Sequence, residues 1–150
     1  MLKERFAGLS VRRSNECALG PQRIDSLAVI GRLQGSCCTP MVFDHYAQQV
    51  RGLAAYGRIP QIPPDPYDIP VRQAKRLLAY TGAITLTAAQ QAIYHRGTKL
   101  SHERGPCCCH CWRWTTFEGQ AKYLIARRGY TAAQIATVWD LENGCGGPAA

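Results

Sequence analysis

The sequence predicts an all-α fold: one irregular helical domain of about five helices, with a Pro-rich connector and a cysteine-rich site at helix N-termini. Three observations support this. Val42, Phe43, Tyr46, Ala47, Val50, Leu53 and Ala54 recur at helical spacing, and so do Trp114, Phe117, Ala121, Leu124 and Ile125. Thr87-Ala-Ala-Gln90 and Thr131-Ala-Ala-Gln134 are capping-box patterns, in which side chain and backbone satisfy each other at a helix start. No segment alternates apolar and polar residues as a half-buried strand does. A length of 150 residues, 46% of them hydrophobic, suits one domain with a true core. No apolar run approaches the roughly 18 residues that span a bilayer.

Residues 1–36 read as a weakly structured segment, 37–147 as the helical cysteine-rich domain and 148–150 as a tail. Glycines break up the first segment, and a short helix is expected only around Asp25 to Leu33. Thr39 as N-cap and Pro40 at the first helical position predict a helix over about 40–56, stopped by Gly57. Residues 60–70 contain five prolines and read as an extended connector, with Ile62, Tyr67 and Ile69 packing along the surface. Helices follow over about Val71 to Tyr80 and from Thr87 to about His95. Gly105-Pro106 predicts the next helix start by the Thr39-Pro40 rule, and Gly129 its end. The last helix buries Ile135, Val138 and Trp139 and stops at Asn143-Gly144, leaving Cys145-Gly146-Gly147-Pro148 as a loose tail.

Eight cysteines and no visible secretory leader set the expectation of a cytoplasmic, reducing location. There, clustered thiols bind metal or do redox chemistry rather than form a disulfide framework. The sharpest feature is Cys107-Cys108-Cys109-His110-Cys111, with Cys37-Cys38 as a second cluster and Cys145 as a further candidate. On a helix, Cys107 and Cys111 share a face and Cys108 meets Cys111. In an extended segment, Cys107, Cys109 and Cys111 share a side instead. Both clusters are expected at helix N-termini, where unpaired amides favour thiolate over thiol. The candidate metal ligands are therefore Cys37, Cys38, Cys107, Cys108, Cys109, Cys111 and Cys145, surrounded by His110, Arg113, Trp112 and Trp114. Soft sulfur ligands select Fe–S clusters, Zn(II) or Cu(I) over Mg or Ca. A vicinal pair is an awkward half of one zinc site, and that favours an Fe–S cluster over Zn. Cys17, standing apart, reads as a small apolar filler.

The Cys109-His110-Cys111 element resembles the Cys-His-Cys element of ferredoxin–thioredoxin reductase catalytic chains, whose two Cys-Pro-Cys elements have no counterpart here. Cys108-Cys109-His110 followed by aromatics is similar to a segment of organomercurial lyases, and the rest of the chain does not follow that family. A formal net charge of +8 suits docking of an acidic redox partner. Residues 121–141 look like the first half of a helix-turn-helix, but no recognition helix follows, so nucleic-acid binding is not expected. The expected function is a thiolate metal-centre protein acting in electron transfer or thiol redox chemistry. The alternatives are an enzyme using reactive thiols on an organometal or disulfide substrate, and a structural zinc interaction module.

Overall fold

A computed structural model describes residues 1–15 and 19–147 of the chain. Seven α-helices are present among the described residues: α1 (Leu2–Ser10), α2 (Pro21–Ser26), α3 (Phe43–Leu53), α4 (Val71–Ala83), α5 (Ala88–Leu100), α6 (Trp112–Arg128) and α7 (Ala132–Leu141). A 3₁₀ turn, Ala54–Tyr56, extends α3. Two short strands, β1 (Arg32–Gln34) and β2 (Asp68–Pro70), pair antiparallel with Leu33 opposite Ile69. None of the described helices is long and apolar enough to cross a membrane.

The capping chemistry holds. Thr87 accepts from the Gln90 amide while the Gln90 side chain accepts from the Thr87 amide, and Thr131 and Gln134 do the same for α7. Gly129 closes α6 in the left-handed conformation at φ +67, where a residue without a Cβ carries no steric penalty.

The core is built on two helix pairs. α4 crosses α6 so closely that a Cβ on Gly119 would lie 2.0 Å from the Leu77 carbonyl oxygen. Thr81 Oγ1 donates to the Thr115 carbonyl at 2.6 Å and Lys122 Nζ to the Thr81 carbonyl at 2.8 Å, which fixes the register of that crossing. α5 lies on α7, with Gly97 against Ile135 and Tyr94 edge-on to Trp139. Leu77, Phe117, Leu124 and Ile135 are fully buried between the pairs. A smaller apolar cluster joins Leu9, Met41, Tyr46 and Tyr67.

A buried polar layer seats α3 against the end of α7. Tyr46 Oη donates to Asp65 Oδ2 at 2.6 Å, and Tyr67 Oη donates to Gln49 Oε1 at 2.8 Å. Gln49 Nε2 in turn donates to the carbonyls of Leu141 and Asn143.

Several expectations are corrected. The fold is mostly helical but not all-α, because three-residue strands are too short to show any alternation in sequence. Residues 1–36, expected to be weakly structured, carry α1, α2 and β1. α2 ends at Ser26, so the helix expected over Asp25 to Leu33 is displaced: residues 27–31 form bend and turn, and only Arg32 and Leu33 of that span are strand. Pro40 and Pro106 do not start helices. α3 begins at Phe43 after the Val42 N-cap, and α6 begins at Trp112 after the Cys111 N-cap. Residues 104–111 instead run as consecutive bends, so α6 starts several residues beyond Pro106. The residues after α7 are pinned rather than loose up to Gly147. Residues 16–18 and 148–150, and with them Cys17 and the expected tail, lie outside the described residues.

Candidate metal centre

Three stretches, far apart in sequence, converge on one point. After β1 the chain turns at Gly35, and residues 36–41 run beside residues 144–147. Cys37 N donates to the Gly144 carbonyl, Thr39 N to the Cys145 carbonyl and Gly147 N to the Pro40 carbonyl, each at 2.8 Å. Thr39, expected as a helix cap, instead donates its hydroxyl to the Cys145 carbonyl at 2.8 Å. The glycines around Cys145 permit this approach. A Cβ on Gly146 would lie 2.1 Å from the Thr39 carbonyl oxygen, and one on Gly144 would lie 2.5 Å from Arg113 Cζ.

Residues 105–111 form the third stretch, a loop ending at Cys111. Asn15 ties it to the first: its Nδ2 donates to the Gly35 carbonyl at 2.8 Å, and its Oδ1 accepts from Trp112 Nε1 at 2.9 Å. The side chain is fully buried. A single Asn in a stretch read as weakly structured carries no sequence signal of this bracing role.

The sulfur atoms gather tightly. Cys37 Sγ is 3.5 Å from Cys38 Sγ and 3.9 Å from Cys145 Sγ, and Cys38 Sγ is 3.4 Å from Cys108 Sγ. Cys107 Sγ is 3.9 Å from Cys111 Sγ and 4.0 Å from Cys145 Sγ. Cys108 and Cys145 are joined as a disulfide, their Cα atoms 7.0 Å apart. Three groups have all their sulfurs within 4.8 Å of one another: Cys37, Cys38, Cys108 and Cys145; Cys37, Cys107 and Cys111; and Cys107, Cys108 and Cys109. Every cysteine singled out in sequence, apart from Cys17, belongs to at least one group. The cluster can hold a metal ion.

The electrostatics favour thiolate at the inner end. Hydrogen bonds from the Cys107 and Cys37 thiols, with a further one from the Arg113 amide, pull the Cys111 pKa down to about 3. Cys111 is the N-cap of α6, the one cysteine among the described residues that does sit at a helix N-terminus. Cys37 is held as the thiol, its pKa raised by hydrogen bonding to Cys107 and Cys111 and by burial. Cys37 and Cys38 are not at a helix N-terminus, contrary to expectation, since α3 begins later at Phe43.

Arg113 is 1% exposed. Its guanidinium donates to the carbonyls of Pro66 and Glu142 and lies over the rings of Trp112 and Phe117. It is near enough to Cys37 to lower that thiol's pKa, although hydrogen bonding and burial outweigh it. A buried cation is costly without compensation, and here the two carbonyls and the two aromatic faces supply it. His110 is exposed, stacks on Trp114 with ring centroids 3.9 Å apart, and belongs to none of the sulfur groups. On the outer side, Cys37 and Cys38 adjoin an open depression of about 330 Å³ that is also lined by Ser10, Arg13, Ser36, Thr39 and Pro40.

Glu142, which the sequence did not flag, is 1% exposed, and its carboxyl oxygens have no hydrogen-bond partner. Burial raises its pKa well above the ordinary value, against a smaller opposing pull from Arg113. The folded state therefore holds this proton to higher pH than the unfolded chain. That contribution to stability is complete below the unfolded pKa of about 4.3 and is lost as pH rises through the folded pKa. Glu142→Gln will remove it. In urea titrations at pH 5 and pH 8, the wild type should lose more stability on going to pH 8 than the variant does, by up to about 1.4 kcal/mol per pH unit. Equal losses would contradict a neutral buried acid.

Fold and site together define a mostly helical, cysteine-rich chain with a sulfur cluster assembled from three remote segments. No protein-family model, no curated protein and no solved structure matches this chain.

Proposed function

We propose that the chain is a thiolate metal-centre protein in which reduced Cys37, Cys38, Cys108 and Cys145 hold one soft cation. One observation carries the proposal: four sulfurs from three remote segments lie within 4.8 Å of one another. An ion bound at the usual Zn–S length of about 2.3 Å sets tetrahedral S···S edges of about 3.8 Å. The Cys37–Cys38, Cys37–Cys145 and Cys38–Cys108 separations of 3.5, 3.9 and 3.4 Å fall near that edge. An Fe–S cluster places inorganic sulfide and further iron between its cysteines, which needs wider spacing, so the geometry favours a single ion of the Zn(II) class. The vicinal pair is no obstacle to this, because the turn after Gly35 aims both sulfurs to the same side.

Co(II) substitution under anaerobic reduction tests the reading. The protein should bind Co(II) with intense thiolate charge-transfer absorption and visible bands of a tetrahedral sulfur site, and zinc should displace it. Cys38→Ser and Cys145→Ser should each weaken binding by at least tenfold. Failure of the reduced protein to take up any soft cation would overturn the proposal. A brown protein carrying acid-labile sulfide would replace zinc with an Fe–S cluster and return electron transfer as its use.

The Cys108–Cys145 disulfide favours a second reading, thiol redox chemistry at the same sulfurs. With a small-molecule disulfide as acceptor, the two thiolates form their S–S bond and the acceptor takes two electrons and two protons to become two thiols. The ion loses two of its ligands in that step. Incubating the metal-loaded protein with glutathione disulfide should release the ion alongside two equivalents of glutathione per chain; retention of the ion would exclude this use.

A further inference from the structure

The four-sulfur group leaves Cys107, Cys109 and Cys111 unused, and they are not scattered. Cys107 and Cys111, both buried, share a second group with Cys37, and Cys109 lies within 4.8 Å of Cys107 and of Cys108, one cysteine from each of the two groups. Cys37 is the one residue common to the four-sulfur group and this second group. A thiolate has lone pairs for two metal ions, so one cysteine can bridge them. Two tetrahedral ions that share one sulfur need seven sulfurs in all, and seven cysteines are gathered here: Cys37, Cys38, Cys107, Cys108, Cys109, Cys111 and Cys145.

Resting on the single-ion reading above, we propose a second soft-cation site, held by Cys37, Cys107, Cys111 and Cys109, so that the reduced chain binds a binuclear Zn(II)-class thiolate centre bridged by Cys37. The outer ion lies between Cys38 and Cys108, both exposed, and the inner ion between Cys107 and Cys111, both buried. The outer ion is therefore the one that exchanges with solvent ligands. Seven thiolates around two divalent ions carry an excess of three negative charges, and the buried Arg113 guanidinium lies beside that charge. The Cys107–Cys111 separation of 3.9 Å matches the tetrahedral edge of about 3.8 Å.

The test loads the full reduced chain with ¹¹³Cd(II) as the probe and reads native mass spectrometry with ¹¹³Cd NMR. The expected result is two ions per chain and two resonances in the all-sulfur range, split by mutual coupling through the shared sulfur. Cys37→Ser should abolish that splitting. Cys109→Ser, at a half-buried loop position where folding is less at risk than at Cys111, should lower affinity for one ion at least tenfold and leave the other resonance in place. One ion per chain, spectroscopically four-sulfur, would overturn the second site and leave the proposed function standing. Two ions without coupling would overturn the Cys37 bridge. No uptake at all would overturn both readings.

Discussion

Under the proposed metal-centre function, stripping the ion from the loaded, reduced protein with a strong chelator will lower its Tm by on the order of 10 °C while leaving most of its helical circular dichroism intact. The size follows from mass action. A ligand present at a thousand times its Kd stabilises the folded state by about 4 kcal/mol, and a domain near this length shifts by about 2–4 °C per kcal/mol. The shape follows from the architecture. The α4–α6 and α5–α7 pairs are held by Leu77, Phe117, Leu124, Ile135 and Trp139; Cys107, Cys111 and Cys145 share that apolar core, but none of them lies on the four helices. The loops at 36–41, 105–111 and 144–147 have less to lean on, and their amides should exchange with solvent soonest in the stripped form. An unchanged Tm would show that no bound ion supports the fold, and complete loss of helix would show that the apolar pairs cannot stand alone.

Gly119→Ala should be the most damaging conservative substitution in the helices. Alanine is intrinsically better in a helix than glycine by about 1 kcal/mol. Here the new methyl carbon would lie 2.0 Å from the Leu77 carbonyl oxygen and 2.9 Å from the Thr81 amide nitrogen. Both are backbone atoms, so α4 must move away from α6 and its packing must loosen. A net loss of about 3 kcal/mol is expected, or about 6–12 °C in Tm. Gly82→Ala is the control. Nothing lies within 4 Å of a Cβ there, and on the same α4 helix it should raise stability by up to about 1 kcal/mol. Thermal denaturation of the pair decides it; similar Tm values for both variants would mean that the crossing is not as close as described.

What the sequence made legible was the chemistry that is local. The Thr87 and Thr131 capping boxes need only residues three apart, and both form as read. Gly129 stops α6 because the left-handed residue and its carbonyl partners are contiguous. Thr39-Pro40 and Gly105-Pro106 carry the same local grammar and mislead. The amide and hydroxyl of Thr39 go to Cys145, more than a hundred positions away, and that competition cannot be seen in a window of ten residues. Strands β1 and β2 were invisible because each is three residues long. At the site, the clustering of sulfur along the chain already implied convergence. One support did not show in the pattern: Asn15, which braces the first stretch against the third, whereas the glycines at 144 and 146, whose missing Cβ atoms let the last stretch close in, are legible in sequence as a place of close backbone approach.

The parallel path of residues 36–41 beside residues 144–147 also orders events in time. On a chain emerging from the ribosome, Cys37 and Cys38 appear early and wait through more than a hundred further residues before Cys145 follows. The α4–α6 pair can dock meanwhile, since its contacts are nearer in sequence, whereas α7 is completed only just before Cys145. Closure of the sulfur cluster must therefore await the last of its three stretches, and whatever joins the sulfurs then fastens residues 36–41 to residues 144–147 across most of the chain.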